Sequence, residues 1–395
     1  MRYFALILLI FSGTVLLKGQ VRIRLFASQS PGSVIFRVTA GSYSMTDANG
    51  NPLVVNTGEP VLISRFGERV AMKVRNREGY VYDTLKIEGL TGKDNFSLSI
   101  NGSIPLLRVY SGDLHCYYDL DNILLINVCN VEEYIAGVVR TEGGDGRNSE
   151  YFKTQAVLAR TYLFRYFEKH AMDNFNLCDD THCQAFNGVN TSLAITSAVE
   201  ATRGLVVLGA DSALISPAFH SNCGGETALA EDVWLSGQPY LKKVKDPHCT
   251  SSGNATWQKR ISLSDWIAYL KKSGYSGRSD NPGIFAFSQP SRVYDYRAGS
   301  FALPLKQIRN DYGLRSTFFS VIVEGDSVLL KGRGYGHGVG LCQEGAMAMA
   351  LKGSDYRKIV DFYYNGVIIS DIENARKPEK VLLSGINKSK AGSNQ

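Results

Sequence analysis

The stretch GDLHCYYDLDNILLINVCNVEEYIAGVV, residues 112–139, changes its pattern of apolar residues near NVEEY. Before that point, short apolar runs are typical of β-strands. After it, Val131, Tyr134, Ile135 and Val138 recur at helical spacing. The stretch therefore marks the change from a β-rich region to a helical one.

The chain on either side of this stretch extends both patterns. Residues 21–110 contain short β-type runs such as VRIRLFA and SVIFRVTA, separated by turn residues. Downstream, EYFKTQAVLARTYLFRYFEKH predicts a helix over 150–170, with Asn148 or Ser149 as its cap. A second helix is predicted over 192–203, shorter helices around Trp234 and Trp266, and a strand pair within 318–334. We predict an α+β fold, in which an N-terminal β-rich region (20–104) precedes a mixed α+β core (105–375).

The two ends of the sequence predict segments outside this fold. Residues 1–19 start with Met1 and the charged Arg2, continue as an apolar run and end at a small Gly19, which is typical of a signal peptide. We therefore expect an exported protein of the periplasm or cell envelope, with no stable membrane span after cleavage. An uncleaved membrane anchor and a buried N-terminal element are the alternatives. The polar residues 376–395 predict a mobile tail.

The net charge excludes one class of partner. It is +6 for the whole sequence and +4 without the Arg2 and Lys18 of the predicted signal peptide, and acidic and basic residues are interspersed. Nucleic-acid binding surfaces are dense basic faces or tracts. We therefore expect no nucleic-acid partner.

Glu142 is the first candidate for chemistry. It ends the helical text VEEYIAGVVRTE and precedes Gly143 and Gly144, so its carboxyl group would stand at the mouth of a cleft. A solvated surface charge is the ordinary alternative for a glutamate.

A short loop concentrates metal-binding residue types. Cys178, His182 and Cys183 lie within six residues, and His170 precedes them at the end of the predicted helix. Two thiolates and two imidazoles are a ligand set that zinc prefers, four-coordinate in structural sites. A Cys178–Cys183 disulfide is the alternative in an exported protein.

Two more cysteines lie beside histidines. FHSNCGGET places His220 three residues before Cys223, and DPHC places His248 next to Cys249. A Cys/His nucleophile pair would require a reduced, activated thiol, so export favours a Cys223–Cys249 disulfide. The seven cysteines are an odd number, so at least one is free, metal-bound or intermolecular.

The stretch RGYGHGVGLCQEGAMAMA, residues 333–350, places five glycines around His337 before a helix-forming run. Glycine accepts backbone angles that other residues avoid. Such a loop would either bring backbone amides, His337 and Gln343 to a ligand, or form a tight turn that His337 ties to the core.

Four motifs, in this order, resemble the stage II sporulation protein D family, which includes the amidase-enhancer (LytB) proteins of bacterial walls. They are VEEYIAGVVRTE with EYFKTQAVLARTYLFRY, then CDDTHCQAF, then FHSNCGGETALAEDVWLSGQPYLKKVKD, and finally GYGHGVGLCQEGA. The resemblance covers about residues 105–370. It departs from the family after Glu142, where GGDGRNSE replaces the usual proline and tryptophan, and at Cys223 and Cys342, where small residues or serine are common.

The resemblance implies a lytic transglycosylase that cleaves peptide-stripped peptidoglycan glycan strands and leaves 1,6-anhydro-muramic ends. Glu142 would be its single acid and base, and the zinc of some family members would lie in the Cys/His loop. The implied substrate-binding residues are Gln155, Arg160, Tyr162, His220, Ser221, His337 and Gln343. A non-catalytic wall-binding module that stimulates a separate N-acetylmuramoyl-L-alanine amidase is the alternative. A zinc hydrolase is a weaker one, because a site with four protein ligands leaves no position for water.

Overall fold

The computed structural model describes residues 19–46, 50–100, 106–234, 236–278 and 280–376. The predicted signal peptide and tail lie outside the described residues, apart from Gly19 and Arg376. The strands before the first helix are, in chain order, β1 (Gln20–Leu25), β2 (Ser33–Ala40), β3 (Ser42–Thr46), β4 (Pro52–Asn56), β5 (Pro60–Phe66), β6 (Arg69–Val74), β7 (Gly79–Tyr82), β8 (Thr84–Gly89), β9 (Asn95–Ile100), β10 (Leu106–Ser111), β11 (Asp113–Asp119) and β12 (Asn122–Asn130).

Helices and strands are interspersed in the rest of the chain, which gives the predicted α+β class. The elements are α1 (Val131–Gly143), α2 (Ser149–Arg165), β13 (Leu177–Cys178), α3 (Leu193–Ala201), β14 (Leu205–Leu208), β15 (Phe219–His220), α4 (Glu231–Trp234), β16 (Thr256–Ser262), α5 (Leu263–Lys272), β17 (Asp295–Ala298), β18 (Phe301–Pro304), α6 (Leu305–Tyr312), β19 (Phe319–Glu324), β20 (Ser327–Arg333), β21 (Leu341–Cys342), α7 (Gln343–Leu351), α8 (Tyr356–Tyr363) and β22 (Ile368–Asp371).

Two large sheets carry most of the strands. One has seven strands in the order β13-β1-β12-β11-β8-β3-β4, and the other has six in the order β10-β9-β2-β5-β6-β7. Their side chains alternate between buried and exposed, as in β2 and β6. Aromatic rings of the two sheets meet in the core, where Phe36 of β2 lies 5.4 Å from Tyr43 of β3.

The sheets join the two regions predicted from the sequence. β1 pairs antiparallel with β12, Gln20 opposite Asn130, and parallel with β13. β9 and β10, on either side of the predicted boundary at 104/105, are also antiparallel neighbours. The boundary therefore lies within shared sheets, and one hydrophobic core extends from β1 to α8.

Helices α1 and α2 form as their sequences predict. The Asn130 side chain accepts a hydrogen bond from the Glu132 amide at 2.8 Å, and the Asn148 side chain accepts one from the Glu150 amide at 2.8 Å. Helix α2 ends at Arg165, five residues before its predicted end. The carbonyl of Phe167 accepts a hydrogen bond from the Asn176 side chain instead of continuing the helix.

A smaller second core lies within residues 257–330. The three-stranded sheet β16-β20-β19 and helices α5 and α6 surround the fully buried Trp266. This unit contains the predicted helix around Trp266 and the predicted strand pair. In the described part of the chain, no helix is both long and apolar enough to cross a membrane.

Candidate functional site

Glu142 lies in the last turn of α1 with a partly buried side chain. Its Oε1 accepts a hydrogen bond from the Ala185 amide at 2.9 Å. Burial raises the pKa of this carboxyl group above its ordinary value, and the Ala185 hydrogen bond offsets part of the rise. The negative end of a helix dipole acts in the same direction as burial. The environment therefore favours the protonated form that a general acid requires.

Two buried donors lie next to the end of α1. A Cβ on Gly143 would be 3.5 Å from Tyr151 Cε1 and 3.7 Å from Gln155 Cγ. The Tyr151 hydroxyl and Gln155 Nε2 are buried and have no hydrogen-bond partner among the described residues. Since such groups are nearly always satisfied in proteins, the two donors are available to a ligand or to water. Gln155 was predicted from the sequence, whereas Tyr151 was not, although it lies one helical turn earlier on the same face.

Helix α7 contacts the Glu142 segment through its first residue. Gln343 Nε2 donates to the Glu142 carbonyl oxygen at 3.1 Å. This contact joins two predicted site residues that are 201 positions apart. The predicted amide donor of Gln343 therefore holds the end of α1 in this structure.

The next residue of α7, Glu344, is a carboxylate that the sequence interpretation missed. Its oxygens accept hydrogen bonds from Asn222 Nδ2 at 2.6 Å, from Asn254 Nδ2 at 2.5 Å and from the Ser252 hydroxyl. The Glu344 amide donates to the carbonyl of Ser221 at 3.1 Å. The predicted Ser221 thus lies next to this carboxylate.

Asp145 and Glu226 are two further carboxylates that could act as the second carboxylate of a hydrolytic glycosidase. Asp145 is exposed and lies 2.9 Å from Arg140 Nη2. Glu226 is buried, and Oε1 accepts from the Arg292 amide at 2.9 Å and from Ser291 Oγ at 2.7 Å. Both groups are therefore engaged with neighbouring side chains or backbone.

Arg160 lies in the core and has no exposed surface. Its guanidinium donates to Glu132 at 2.5 and 3.0 Å and to the carbonyl of Leu205 at 3.0 Å. The structure thus places this predicted substrate-binding residue in a buried ion pair between α1, α2 and β14. In this arrangement the Arg160 guanidinium joins the two helices and has no exposed surface.

We expect Arg160→Met to lower the free energy of unfolding by about 3–5 kcal/mol, because it leaves the buried Glu132 carboxylate without its cation. Chemical denaturation measures the loss. The exposed Arg203, which pairs with Glu200, is the control, and Arg203→Met should cost less than about 1 kcal/mol. The double variant Arg160→Met/Glu132→Leu should recover most of the stability. If the recovered double variant binds glycan poorly, Arg160 contacts substrate after all.

The glycine-rich loop packs on the segment 218–224. A Cβ on Gly340, whose φ is 70°, would lie 2.1 Å from the carbonyl oxygen of Ala218, and one on Gly334 would lie 2.6 Å from that of Asn222. The glycines are therefore required by a close approach of two backbone segments. This arrangement agrees with the tight-turn interpretation of the loop.

The two predicted histidines lie together at this turn. His220 Nδ1 donates to the Val339 carbonyl at 3.1 Å, and His337 Nδ1 accepts from the Val339 amide at 3.0 Å. The rings are 5.5 Å apart, and the His337 ring is 5.2 Å from that of Trp234. Burial lowers the pKa of His337 to about 4 and that of His220 well below its ordinary value. Both rings are therefore neutral at pH 7, and His337 ties the loop to itself.

The Cys/His loop forms a compact cluster. His170, Cys178, His182 and Cys183 each place one ligand atom within 4.8 Å of the others. Cys183 Sγ lies 3.5 Å from His170 Nε2 and 3.7 Å from His182 Nδ1. The two cysteines are free thiols in this structure. This donor set and spacing fit a tetrahedral metal ion.

Tyr162 lies on the side of α2 that faces this cluster. Burial first, and the nearby Cys183 second, raise the pKa of its phenol. Its ring packs 4.6 Å from the Tyr166 ring. The structure thus associates this predicted substrate-binding residue with the Cys/His cluster.

The structure contains two free thiols where the sequence predicts a Cys223–Cys249 disulfide. The two sulfurs are adjacent at 3.3 Å, but both residues are free thiols. His220 uses Nδ1 for Val339 and has no partner at Nε2 in the described part of the chain. The structure therefore contains no Cys223–His220 nucleophile pair.

Comparisons with known proteins agree with the resemblance seen in the sequence. A family model described as "Stage II sporulation protein" matches residues 119–208, which include α1, α2 and the Cys/His loop. Stage II sporulation protein D of Bacillus subtilis is 31% identical over 261 residues, covering 62% of this chain and 75% of that relative. The protein of the same name from Bacillus amyloliquefaciens is 30% identical over 290 residues, 69% of this chain and 80% of that relative.

A differently named relative is more distant. The amidase enhancer of Bacillus subtilis is 27% identical over 289 residues, which are 60% of this chain and 40% of that relative.

Fold and site together define an α+β protein with a candidate acid–base group at the end of a helix. The chain belongs to the stage II sporulation protein D family.

Proposed function

We propose that this protein is exported, acts on the bacterial cell wall and cleaves peptidoglycan glycan strands as a lytic transglycosylase. The observation that carries the proposal is the environment of Glu142. Its carboxyl group has a raised pKa, a single described hydrogen bond from the Ala185 amide, and two unpartnered buried donors beside it. Relatives named for sporulation and for amidase enhancement support the cell-wall assignment.

The chemistry requires one group that first donates and then accepts a proton. Glu142 protonates the glycosidic oxygen, and the C1–O bond to the departing sugar breaks. The 6-hydroxyl of the muramic acid then bonds to C1, and its proton returns to Glu142. No water is consumed, so the product carries a 1,6-anhydro end and the carboxyl group is restored.

The other acidic side chains support a mechanism with one carboxyl group. A hydrolytic glycosidase needs a second carboxylate as base or nucleophile. Glu344 already accepts three hydrogen bonds, Asp145 is paired with Arg140, and Glu226 lies in a buried network. A transglycosylase does not use water as its nucleophile, so it needs none of these three carboxylates as a base.

We propose further that His170, Cys178, His182 and Cys183 hold a zinc ion. Bound there, zinc would cross-link the loop after α2. Its role would be structural, because four protein ligands leave no position for water or substrate. The ligands come from both ends of the 170–183 segment. The metal is thus assigned a structural role.

The alternative function is stimulation of a wall amidase without cleavage, and it rests on the name of one relative. Two assays on one preparation separate the alternatives. The first follows peptide-stripped glycan strands by mass spectrometry, and the second measures an N-acetylmuramoyl-L-alanine amidase with and without the protein. Cleaved strands support the proposal. Uncut strands together with a faster amidase support the alternative.

Tyr151 provides a separate test of where the glycan binds. We expect Tyr151→Phe to raise KM for glycan about 5- to 10-fold, since a neutral hydrogen bond contributes about 1–1.5 kcal/mol. Stability should stay the same or rise, because the Tyr151 hydroxyl has no hydrogen-bond partner among the residues that the structure describes. Tyr110→Phe, at a fully buried tyrosine of β10, is the matched control and should leave KM unchanged. An unchanged KM for Tyr151→Phe would place the glycan elsewhere.

A further inference from the structure

Three distant segments bring a second group of metal-binding side chains together beneath the start of α7. Cys223 follows β15, Asp246 and Cys249 lie in the loop before β16, and Cys342 ends β21. One ligand atom from each lies within 4.8 Å of the others. All four residues have 0% exposure. The four residues are therefore buried together in the interior of the protein.

One sulfur of the cluster, that of Cys342, accepts hydrogen bonds from two backbone amides. Cys342 Sγ accepts from the Cys223 amide at 3.3 Å and from the Gly345 amide at 3.4 Å. Amide donors stabilise the negative charge of thiolates, and hydrogen bonds of this kind orient and tune the ligands of a metal.

The Asp246 carboxyl group faces the sulfurs without a basic side chain beside it in the described part of the chain. Its hydrogen-bond donors are the His248 amide at 2.8 Å, the Tyr363 hydroxyl at 2.9 Å and Cys223 Sγ at 3.3 Å. A buried carboxylate without a cation is costly, and metal coordination is one of the ways in which proteins avoid the cost.

Gly345 makes room for this carboxyl group. A Cβ at Gly345 would lie 2.3 Å from Asp246 Oδ2 and 2.1 Å from the Tyr363 hydroxyl. The backbone of the first turn of α7 therefore packs directly against the Asp246 carboxyl group, with no room for a side chain at Gly345. This approach holds the carboxyl oxygen among the three thiols.

We propose that Cys223, Asp246, Cys249 and Cys342 hold a second, structural zinc ion. Thiolates with a carboxylate are ligands that zinc accepts, and in a tetrahedral site with Zn–S bonds of about 2.3 Å the sulfurs are roughly 3.8 Å apart. The Cys223 and Cys249 sulfurs, now 3.3 Å apart, need only a small movement to reach that spacing. A disulfide between them would leave Cys342 and Asp246 buried beside it without a cation.

The second zinc site has a consequence for the position of α7. Cys342 directly precedes Gln343, whose side chain holds the carbonyl of Glu142. A metal at Cys342 therefore anchors this contact to the loop that carries Asp246 and Cys249. The inference does not depend on the proposed glycan chemistry.

The test counts zinc in the full chain purified from an oxidising periplasm without added chelator. Elemental mass spectrometry should give two zinc ions per chain for the wild type and for Cys116→Ala, a control thiol of β11 outside both clusters. Cys342→Ser and Cys178→Ser should each retain one. The same zinc content in the wild type and in folded Cys342→Ser, or no zinc in the wild type, would overturn the proposal.

A peptide map of the wild type tests the same proposal without a variant, so it can be used even if Cys342→Ser does not fold. The protein is denatured in chelator and alkylating reagent without reductant. We expect the peptides of Cys223, Cys249 and Cys342 to be alkylated, since zinc ligands are released as free thiols. A Cys223–Cys249 disulfide-linked peptide would overturn the proposal and support the disulfide predicted from the sequence.

Discussion

Replacing Glu142 by glutamine is expected to lower the rate of glycan cleavage by roughly 10²- to 10⁴-fold, the usual contribution of a general acid–base group. Glutamine keeps the shape of the side chain and still accepts the hydrogen bond from the Ala185 amide. It delivers no proton to the leaving oxygen. We therefore expect glycan affinity and the free energy of unfolding to remain close to those of the wild type. Single-turnover cleavage and equilibrium binding measure the two quantities separately.

Glu133 offers a matched control on the same helix. It is exposed in the first turn of α1, and its Oε2 accepts a hydrogen bond from the Ser111 hydroxyl at 2.7 Å. Glu133→Gln makes the same chemical change in the first turn of α1, whereas Glu142 lies in the last turn. The cleavage rate should therefore change less than twofold. Equal rates for Glu142→Gln and Glu133→Gln would remove Glu142 from the mechanism.

Replacing Cys178 by serine is expected to release one zinc ion per chain and to lower the free energy of unfolding by roughly 4 kcal/mol or more. The estimate assumes that zinc is present at about 1,000 times its dissociation constant, since a ligand that binds only the folded state stabilises it by mass action. Metal analysis and denaturation measure the two effects. Cleavage by the protein that remains folded should fall less than stability does, because a closed site takes no part in the reaction.

Cys116→Ala controls for the loss of a buried thiol and should leave the zinc content unchanged. A stoichiometric Cys178–Cys183 disulfide in metal-free protein would contradict the zinc assignment. So would a Cys178→Ser protein with full zinc content.

Local patterns predicted the elements that carry the candidate site. Helix α1 begins at Val131, and all four apolar residues that predicted it, Val131, Tyr134, Ile135 and Val138, are buried. Helix α2 has the predicted cap at Asn148. Capping and helical spacing depend on neighbours within a few residues, so one sequence is enough to show them.

Contacts between distant segments could not be predicted in the same way. The partner of Arg160 is Glu132, 28 positions earlier, and nothing in α2 alone distinguishes a buried ion pair from a substrate contact. Cys342 meets Cys223 across 119 positions. The antiparallel pairing of β1 with β12 is likewise a contact between segments that are distant in the sequence. Spacing along the chain does not determine such pairings.

The glycine-rich loop shows why a correct local pattern led to two interpretations. Glycines with positive φ occur both where a ligand approaches a backbone and where two backbones meet. The neighbour of Gly340 is the chain's own Ala218 carbonyl, which lies more than 100 positions away. Only the tertiary structure therefore distinguishes the alternatives.

The most direct test of the central claim is mass spectrometry of peptide-stripped glycan strands after incubation with the full chain. A single acid–base residue and an intramolecular nucleophile predict shorter strands that end in 1,6-anhydro-muramic acid. Those ends should be absent when Glu142→Gln is used for the same time. Shorter strands with ordinary reducing ends would contradict the account, because they require a water molecule and a second carboxylate. Strands left intact by the wild type would contradict it as well.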